Sequence, residues 1–275
     1  MKVRYILMAV LLLAAACSEK PVEGPLYSAT FESSSSYLDK IWKQTGDTLT
    51  LWSPEIAKAE GRSEFETLCL DYAAKADAEE IRSAINAEWF DDEKDIYGDG
   101  STALQALALH YGIVPDTRRQ SVAFDLNMSV AKNRNVVNYD IPGNEFVAEV
   151  LSEAGFDDTA YNVAVRNAYS EEVARWFISG IAGINPGDER ILFKPHFPKA
   201  LEYVSASYQS EKGRITSSWK KMDWGYLVEV DVPAECPASL AYDTEEVELL
   251  PGHLVIKIGD SYPYIRDAYR VKKAI

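Results

Sequence analysis

Apolar positions in the first two-thirds of the chain recur at intervals of three and four residues. Tyr37, Leu38, Ile41 and Trp42 share one helical face, and residues 75–90 are rich in Ala, Glu and Ile. Ala103, Leu104, Leu107 and Ala108 form a second stripe, ending near Gly112 and Pro115. Phe146, Val147, Val150, Leu151 and Ala154 form a third, with Gly155 placed as its C-terminal cap. A helix presents one face at this spacing, and glycine readily takes the left-handed conformation that closes it. Asp157–Asp158 and Glu171–Glu172 stand ahead of further apolar runs, where carboxylates favour the positive end of a helix dipole. The pattern predicts roughly six to eight helices over residues 35–182, joined by short polar turns.

From Ile184 onward the period falls to two. Tyr226, Val228, Val230 and Val232 alternate with Leu227, Glu229 and Asp231; Leu254, Ile256 and Ile258 alternate with His253, Val255 and Lys257. Residues 203–208 and 214–220 read as further strands around Glu211-Lys212-Gly213. About seven short strands with regular turns predict an antiparallel β-sandwich. Helices first and strands second make this an α+β multidomain chain, divided near Gly183, with no fixed-period repeat. The expected units are a helical domain at 31–183, a β-sandwich at 184–260 and a tail at 261–275 whose Tyr262, Tyr264 and Tyr269 dock on either domain.

The N-terminus has a different pattern. Lys2 and Arg4 precede an unbroken apolar run from Tyr5 to Ala16, too short to span a bilayer stably. Ala14-Ala15-Ala16 then meets Cys17. This is an export signal at 1–16, and the small residues before a cysteine resemble a bacterial lipobox, so Cys17 is the expected lipidation site. Residues 17–30, with Pro21, Gly24 and Pro25, read as a lipid-proximal linker. The implied product is an exported lipoprotein, facing the periplasm or the cell surface and held at the membrane through lipid on Cys17.

Composition narrows the chemistry. Of 275 residues, 47% are apolar and 26% charged, and 43 acidic against 28 basic residues give a formal charge of −15. So acidic a chain gains nothing by displacing counterions from a phosphate backbone, which excludes nucleic acid as a partner. Three Cys and three His, with no Cys-x-x-Cys or His-Glu-x-x-His spacing, point to no metal and no cofactor. Cys69 and Cys236 are either a disulfide in an exported chain or two core thiols.

Several stretches resemble the C-terminal part of glycoside hydrolase family 78, the bacterial α-L-rhamnosidases. Residues 84–115 hold Ala-Glu-Trp-Phe-Asp, Tyr-Gly-Asp-Gly-Ser-Thr-Ala-Leu-Gln-Ala-Leu-Ala-Leu and Gly-Ile-Val-Pro; residues 150–161 hold Val-Leu-Ser-Glu-Ala-Gly-Phe-Asp-Asp-Thr-Ala-Tyr. Ile181-Ala-Gly-Ile-Asn-Pro186 is similar to the family's passage from barrel to C-terminal domain. Phe193-Lys-Pro-His196, Ala206-Ser-Tyr208 and Ser217-Ser-Trp-Lys220 follow in the family's order. Phe31-Glu-Ser-Ser34 is similar to the start of the barrel. The resemblance implies a partial (α/α)6 six-hairpin toroid followed by the β-sandwich, internally shortened.

The shortening matters for function. Neither the Asp-Cys-Pro-x-Arg-Glu-Arg-like stretch nor the Trp-Glu segment associated with the family's acid and base occurs here, so no catalytic carboxylate carries over. An inverting glycosidase needs a protonated acid and an ionised base about 6.5–9.5 Å apart. Asp140 and Glu145, flanking Pro142-Gly143-Asn144, are the candidates for a rebuilt pair, or simply turn and helix-start residues. Asp99, Trp89 and Tyr97 are candidates for holding sugar; their other reading is a capping carboxylate and two core aromatics. Trp176 and Tyr111 share that aromatic ambiguity, while His110 and His196 read as structural. The leading expectation is a carbohydrate-binding or degenerate relative connected with rhamnose-containing glycans. An active inverting enzyme with a rebuilt site is the alternative, and a structural lipoprotein is the third. Helix faces left open by an incomplete toroid predict a homo-oligomer or a rearranged helical domain.

Overall fold

The computed structural model describes residues 29–45, 64–74, 79–167, 171–187, 189–210, 212–242, 245–259 and 265–270. The export signal, Cys17 and the linker lie outside the described residues, as do Tyr262 and Tyr264. The described residues begin with strand β1 (Ala29–Ser33) and helices α1 (Ser36–Thr45), α2 (Glu64–Ala73) and α3 (Glu79–Trp89). A two-stranded hairpin, β2 (Phe90–Asp91) and β3 (Ile96–Tyr97), leads into α4 (Thr102–His110), α5 (Arg119–Lys132), α6 (Val147–Glu153), α7 (Asp157–Arg166) and α8 (Glu171–Trp176).

The stop signals work as the sequence suggests. Gly112 (φ +68°) and Gly155 (φ +82°) are left-handed. After each, the backbone closes a Schellman motif: Ile113 N–H donates to the Ala108 carbonyl at 2.9 Å, and Phe156 N–H to the Leu151 carbonyl at 2.8 Å. α4 is buried along most of its length, including Ala106, Leu107, Ala108 and Leu109, so it forms the centre of the helical layer rather than its rim.

The strands form two sheets. One has the order β1-β6-β7-β8-β11-β12, with β6 (Tyr203–Ser210), β7 (Gly213–Met222), β8 (Gly225–Val232), β11 (Gly252–Gly259) and β12 (Ile265–Arg270). The other has the order β10-β9-β5-β4, with β4 (Ile184–Pro186), β5 (Ile191–Phe193), β9 (Ala238–Tyr242) and β10 (Glu245–Leu249). All described pairings are antiparallel except β5 with β9, which aligns Ile191 with Ala238 in parallel. The antiparallel expectation holds with this one parallel pair: three strands of the larger sheet intervene between β5 and β9, long enough for a crossover where a tight hairpin would force antiparallel pairing.

Two placements bear on the site. Phe31–Ser33, from the stretch similar to the start of the barrel, lie in β1 (Ala29–Ser33), an edge strand of the larger sheet that pairs Ala29 with Tyr208 and Ser33 with Val204. The core is continuous from Leu38, Leu107 and Leu151 of the helices to Trp219, Val230 and Leu240 of the sheets. Cys69 and Cys236 are buried and unbridged, which resolves that choice in favour of two core thiols.

Candidate functional site

α4 and α6 lie side by side with their N-termini together. Thr102 Oγ1 donates to Asn144 Oδ1 at 2.7 Å, and the buried Asn144 amide donates back to the Asn138 carbonyl at 2.8 Å. Gly143 (φ +101°) lets the loop press on α4; a Cβ there would come within 2.7 Å of the Ala103 carbonyl oxygen and of Leu107. Loops 97–101 and 140–145, which carry most of the residues picked from sequence, therefore share one end of the helical layer.

At that end the carboxylates are local. Asp140 is exposed, and its N–H donates to Asn138 Oδ1 at 3.0 Å. Glu145 Oε2 accepts the Gly143 N–H at 2.6 Å, closing its own turn. Asp99 is exposed and accepts the Ser101 N–H at 2.9 Å, a bond that holds its carboxyl below the usual range. Trp89 is half-buried against Phe65, ring centres 5.1 Å apart. Tyr97 is a correction to the sugar-stacking expectation. It has no exposed surface, its rings of contact are Phe65 and Phe90, and its hydroxyl donates to Asn86 Oδ1 at 2.5 Å. Burial pushes its phenol well above the ordinary range. Its aromatic face belongs to the core.

The opposite, C-terminal ends of α4, α6 and α8 meet the sheets. After Trp176 the helix widens into a π-helical turn (Phe177–Ile181), with Ala182 N–H donating to the Phe177 carbonyl at 3.0 Å. The last carbonyls of any helix lack intrahelical donors. Here four consecutive ones receive donors from the β-domain. His196 N–H donates to the Gly180 carbonyl at 3.0 Å, Trp219 Nε1–H to Ile181 at 2.8 Å, Ser217 Oγ–H to Ala182 at 2.6 Å and Lys194 N–H to Gly183 at 2.8 Å. Gly183 (φ +74°) is required at this junction, since a Cβ would fall 2.2 Å from Pro195 N.

Charged side chains collect along this seam. Glu149, Glu153 and Asp157 follow at intervals of four residues. Glu149 Oε1 lies 2.8 Å from His110 Nδ1, and the His110 ring stacks on Phe146 at 3.7 Å. Glu153 is ion-paired to Lys194 and lies 3.7 Å from His196 Nε2. His196 Nδ1 is 3.1 Å from Asp157 Oδ1, whose second oxygen accepts the Phe197 N–H at 3.0 Å. Burial opposes ionisation of Glu153, but His196 and Lys194 overcome it and hold the carboxyl at about 2. Burial likewise disfavours the imidazolium of His196, and the Asp157 and Glu153 carboxylates reverse this and raise its pKa.

Two cavities open on the seam. One of about 540 Å³ is lined by residues including Gln120, Ser152, Glu153, Lys194, His196 and Tyr242. The other, about 290 Å³, is lined by residues including His110, Glu149, Arg175, Trp176, Asn185 and His196. Among the described residues, no group of His, Cys, Asp and Glu is arranged to hold a metal. In sequence His110 and His196 read as structural, and Glu149, Glu153, Arg175 and Lys194 do not stand out as functional. The four-residue carboxylate spacing was the available signal, but their partners come from elements up to 41 residues away.

The model of the bacterial alpha-L-rhamnosidase six-hairpin glycosidase domain matches residues 50–171, and that of the bacterial alpha-L-rhamnosidase C-terminal domain matches residues 180–253. An alpha-L-rhamnosidase of Alteromonas sp. (strain LOR) is 22% identical over 196 residues, covering 56% of this chain and 21% of that protein. The native α-L-rhamnosidase of Aspergillus terreus superposes with a TM-score of 0.56 at 16% identity, over 65% of this chain and 26% of its own. The Streptomyces avermitilis α-L-rhamnosidase complexed with L-rhamnose gives 0.55 at 18% identity, over 63% and 23%. The chain thus spans about a fifth to a quarter of the length of these relatives. With both domain models matched in the family's order and the fold shared, the chain is a glycoside hydrolase family 78-like protein, with segments similar to the six-hairpin and C-terminal domains of the bacterial α-L-rhamnosidases.

Proposed function

We propose that this chain is an exported lipoprotein, anchored through Cys17, that binds rhamnose-containing glycans without hydrolysing them. The likeness to α-L-rhamnosidases supports the choice of glycan class. The observation that carries the non-catalytic reading is the state of the two loop carboxylates. A general acid must keep its proton near neutral pH, which requires burial or a nearby like charge to raise its pKa. Asp140 lies in solvent, and Glu145 is turned back onto the Gly143 N–H of its own turn. The buried carboxylate of the seam, Glu153, is displaced downward, opposite to what an acid needs.

The test is sugar release from an aryl α-L-rhamnoside by the purified mature chain, beside binding to rhamnose-bearing oligosaccharides by calorimetry. Binding without turnover is the expected result. Turnover lost in Asp140→Asn or Glu145→Gln overturns the non-catalytic reading in favour of a rebuilt site, and the absence of both binding and turnover leaves a structural lipoprotein. Mass analysis of the processed N-terminus, with Cys17→Ser as control, checks the anchor.

A further inference from the structure

The charged groups around the 290 Å³ cavity fall into two classes. His110 with Glu149, and His196 with Glu153, are already paired. Arg175 is not: among the described residues its guanidinium has no ion-pair or hydrogen-bond partner, and its Nε is closed off from solvent. Trp176, only 4% exposed, is the second case. Its indole Nε1 is buried without an acceptor, and its N–H edge lies against Gly180, where an added Cβ would come within 2.2 Å. Glycine at 180 therefore keeps the indole flush with the wall, on a π-helical turn of the kind that recurs at functional sites. Folded proteins leave few buried donors unmet, and here two belong to residues that line one cavity whose walls are otherwise mostly apolar.

The missing acceptors define a ligand. A guanidinium is matched by a planar carboxylate through two parallel N–H···O bonds, whereas an indole N–H takes a hydroxyl or ring oxygen. A neutral sugar offers only the second; a hexuronate offers both. Glu149 already faces His110, and Glu153 faces Lys194 and His196, so Arg175 is the group left without a partner and an entering carboxylate meets an unpaired cation. The volume lies at the lower end of small-ligand sites, about 300 Å³, the scale of a single sugar ring. The 540 Å³ cavity shares Glu153 and His196 with it and adds Ser152, whose buried hydroxyl also has no partner.

We propose that the seam between the helices and the sheets binds an acidic saccharide. A hexuronate occupies the smaller cavity with its carboxylate on Arg175 and an oxygen on the Trp176 N–H, and the adjoining sugar occupies the larger. This rests on the glycan-binding reading above and names its site and its ligand class.

The test uses two calorimetric probes, an α-L-rhamnosyl-D-galacturonate disaccharide and its carboxyl-reduced, neutral counterpart. The wild-type chain is expected to prefer the acidic probe by about tenfold or more, a preference removed by Arg175→Gln, partly retained by Arg175→Lys and weakened by high salt. Trp176→Phe is expected to weaken both probes. Far-UV circular dichroism and thermal midpoints establish that each variant is folded, and the neutral probe makes the comparison within the wild type alone. Equal binding of both probes, unchanged by Arg175→Gln, overturns the uronate site while glycan binding stands. Failure of every rhamnose-bearing probe to bind overturns the glycan reading and the site together.

Discussion

Replacing Ser217 by Ala removes one of the four donors that hold the end of the last helix on the sheet. Ser217 and Ala182 have no exposed surface, and their bond is 2.6 Å long. The methyl of alanine fills nearly the same space, so the perturbation is the loss of a donor to a buried carbonyl, worth about 1–3 kcal/mol. Trp219→Phe removes the donor to the adjacent Ile181 carbonyl. It also removes part of a ring lying 5.2 Å from Phe197 and 5.9 Å from Tyr226, for a total of about 2–4 kcal/mol. The two carbonyls are consecutive, so the second loss falls on a junction already loosened. The double variant is then expected to be less destabilised than the sum of the singles, by about 0.5–3 kcal/mol. Urea unfolding followed by both circular dichroism and tryptophan fluorescence reads this directly. Coincident transitions are expected in the wild type and separated ones in the double variant, because the seam couples helices to sheets. A Ser217→Ala cost below about 0.5 kcal/mol, the range of an ordinary surface change, would refute the clamp and leave packing alone to join the domains.

Further expectations follow from the same junction and the core. Gly183→Ala places a Cβ 2.2 Å from Pro195 N at a left-handed φ, and is expected to abolish soluble folded protein, measured as yield and thermal midpoint against Gly112→Ala, where nothing lies within 4 Å. Glu153 is held at about 2 against an ordinary 4.5, so its contribution to stability is present above 4.5 and lost as pH falls toward 2; His196 is raised above 6.5, so its contribution is present below 6.5 and lost as pH rises through its folded value. Urea midpoints are therefore expected to peak between about pH 4.5 and 6.5, with His196→Gln flattening the alkaline limb; a flat alkaline limb in the wild type would count against the His196 ion pairs. Burial pushes the Cys69 thiol up to about 12, so mass-mapped alkylation at neutral pH is expected to leave Cys69 untouched until the chain is unfolded.

Legibility in the sequence tracked how local each determinant is. Gly112 and Gly155 announced the ends of α4 and α6 because a Schellman motif involves only its own turn. The alternation of Val228, Val230 and Val232 gave β8 because one face of a sheet is buried at period two. β1 was not legible: Ala29–Ser33 is five residues with no turn partner, and only pairing with β6, more than 170 residues away, makes it a strand. Tyr97 was ambiguous because core and stacking aromatics look alike until burial is known. The seam was least legible of all. Glu153, Asp157, Lys194 and His196 are each unremarkable charges, and their meeting depends on how α6 and α7 dock on the segment after β5.

The direction of the helices explains one half of the seam and isolates the other. α4, α6 and α8 end there, and the negative end of a helix dipole favours cations in the last turn. His110 closes α4, as that effect would place it, whereas Arg175 lies six residues before Ile181, where the π-helical continuation of α8 ends. The dipole is worth about 0.3–1 kcal/mol near an exposed terminus, and it needs only a positive charge nearby. It supplies no acceptor for a particular N–H. The donors from His196, Trp219, Ser217 and Lys194 already occupy the carbonyls of residues 180–183 that would have served. An unmet buried donor costs about 1–3 kcal/mol, more when charged, so the dipole does not offset what Arg175 Nε and Trp176 Nε1 forgo. A bound carboxylate would satisfy the charge and the geometry together. It would also be favoured by Arg175 against the helix ends, which makes the salt dependence of acidic-sugar binding the measurement that separates a fitted site from a cation merely drawn to a dipole.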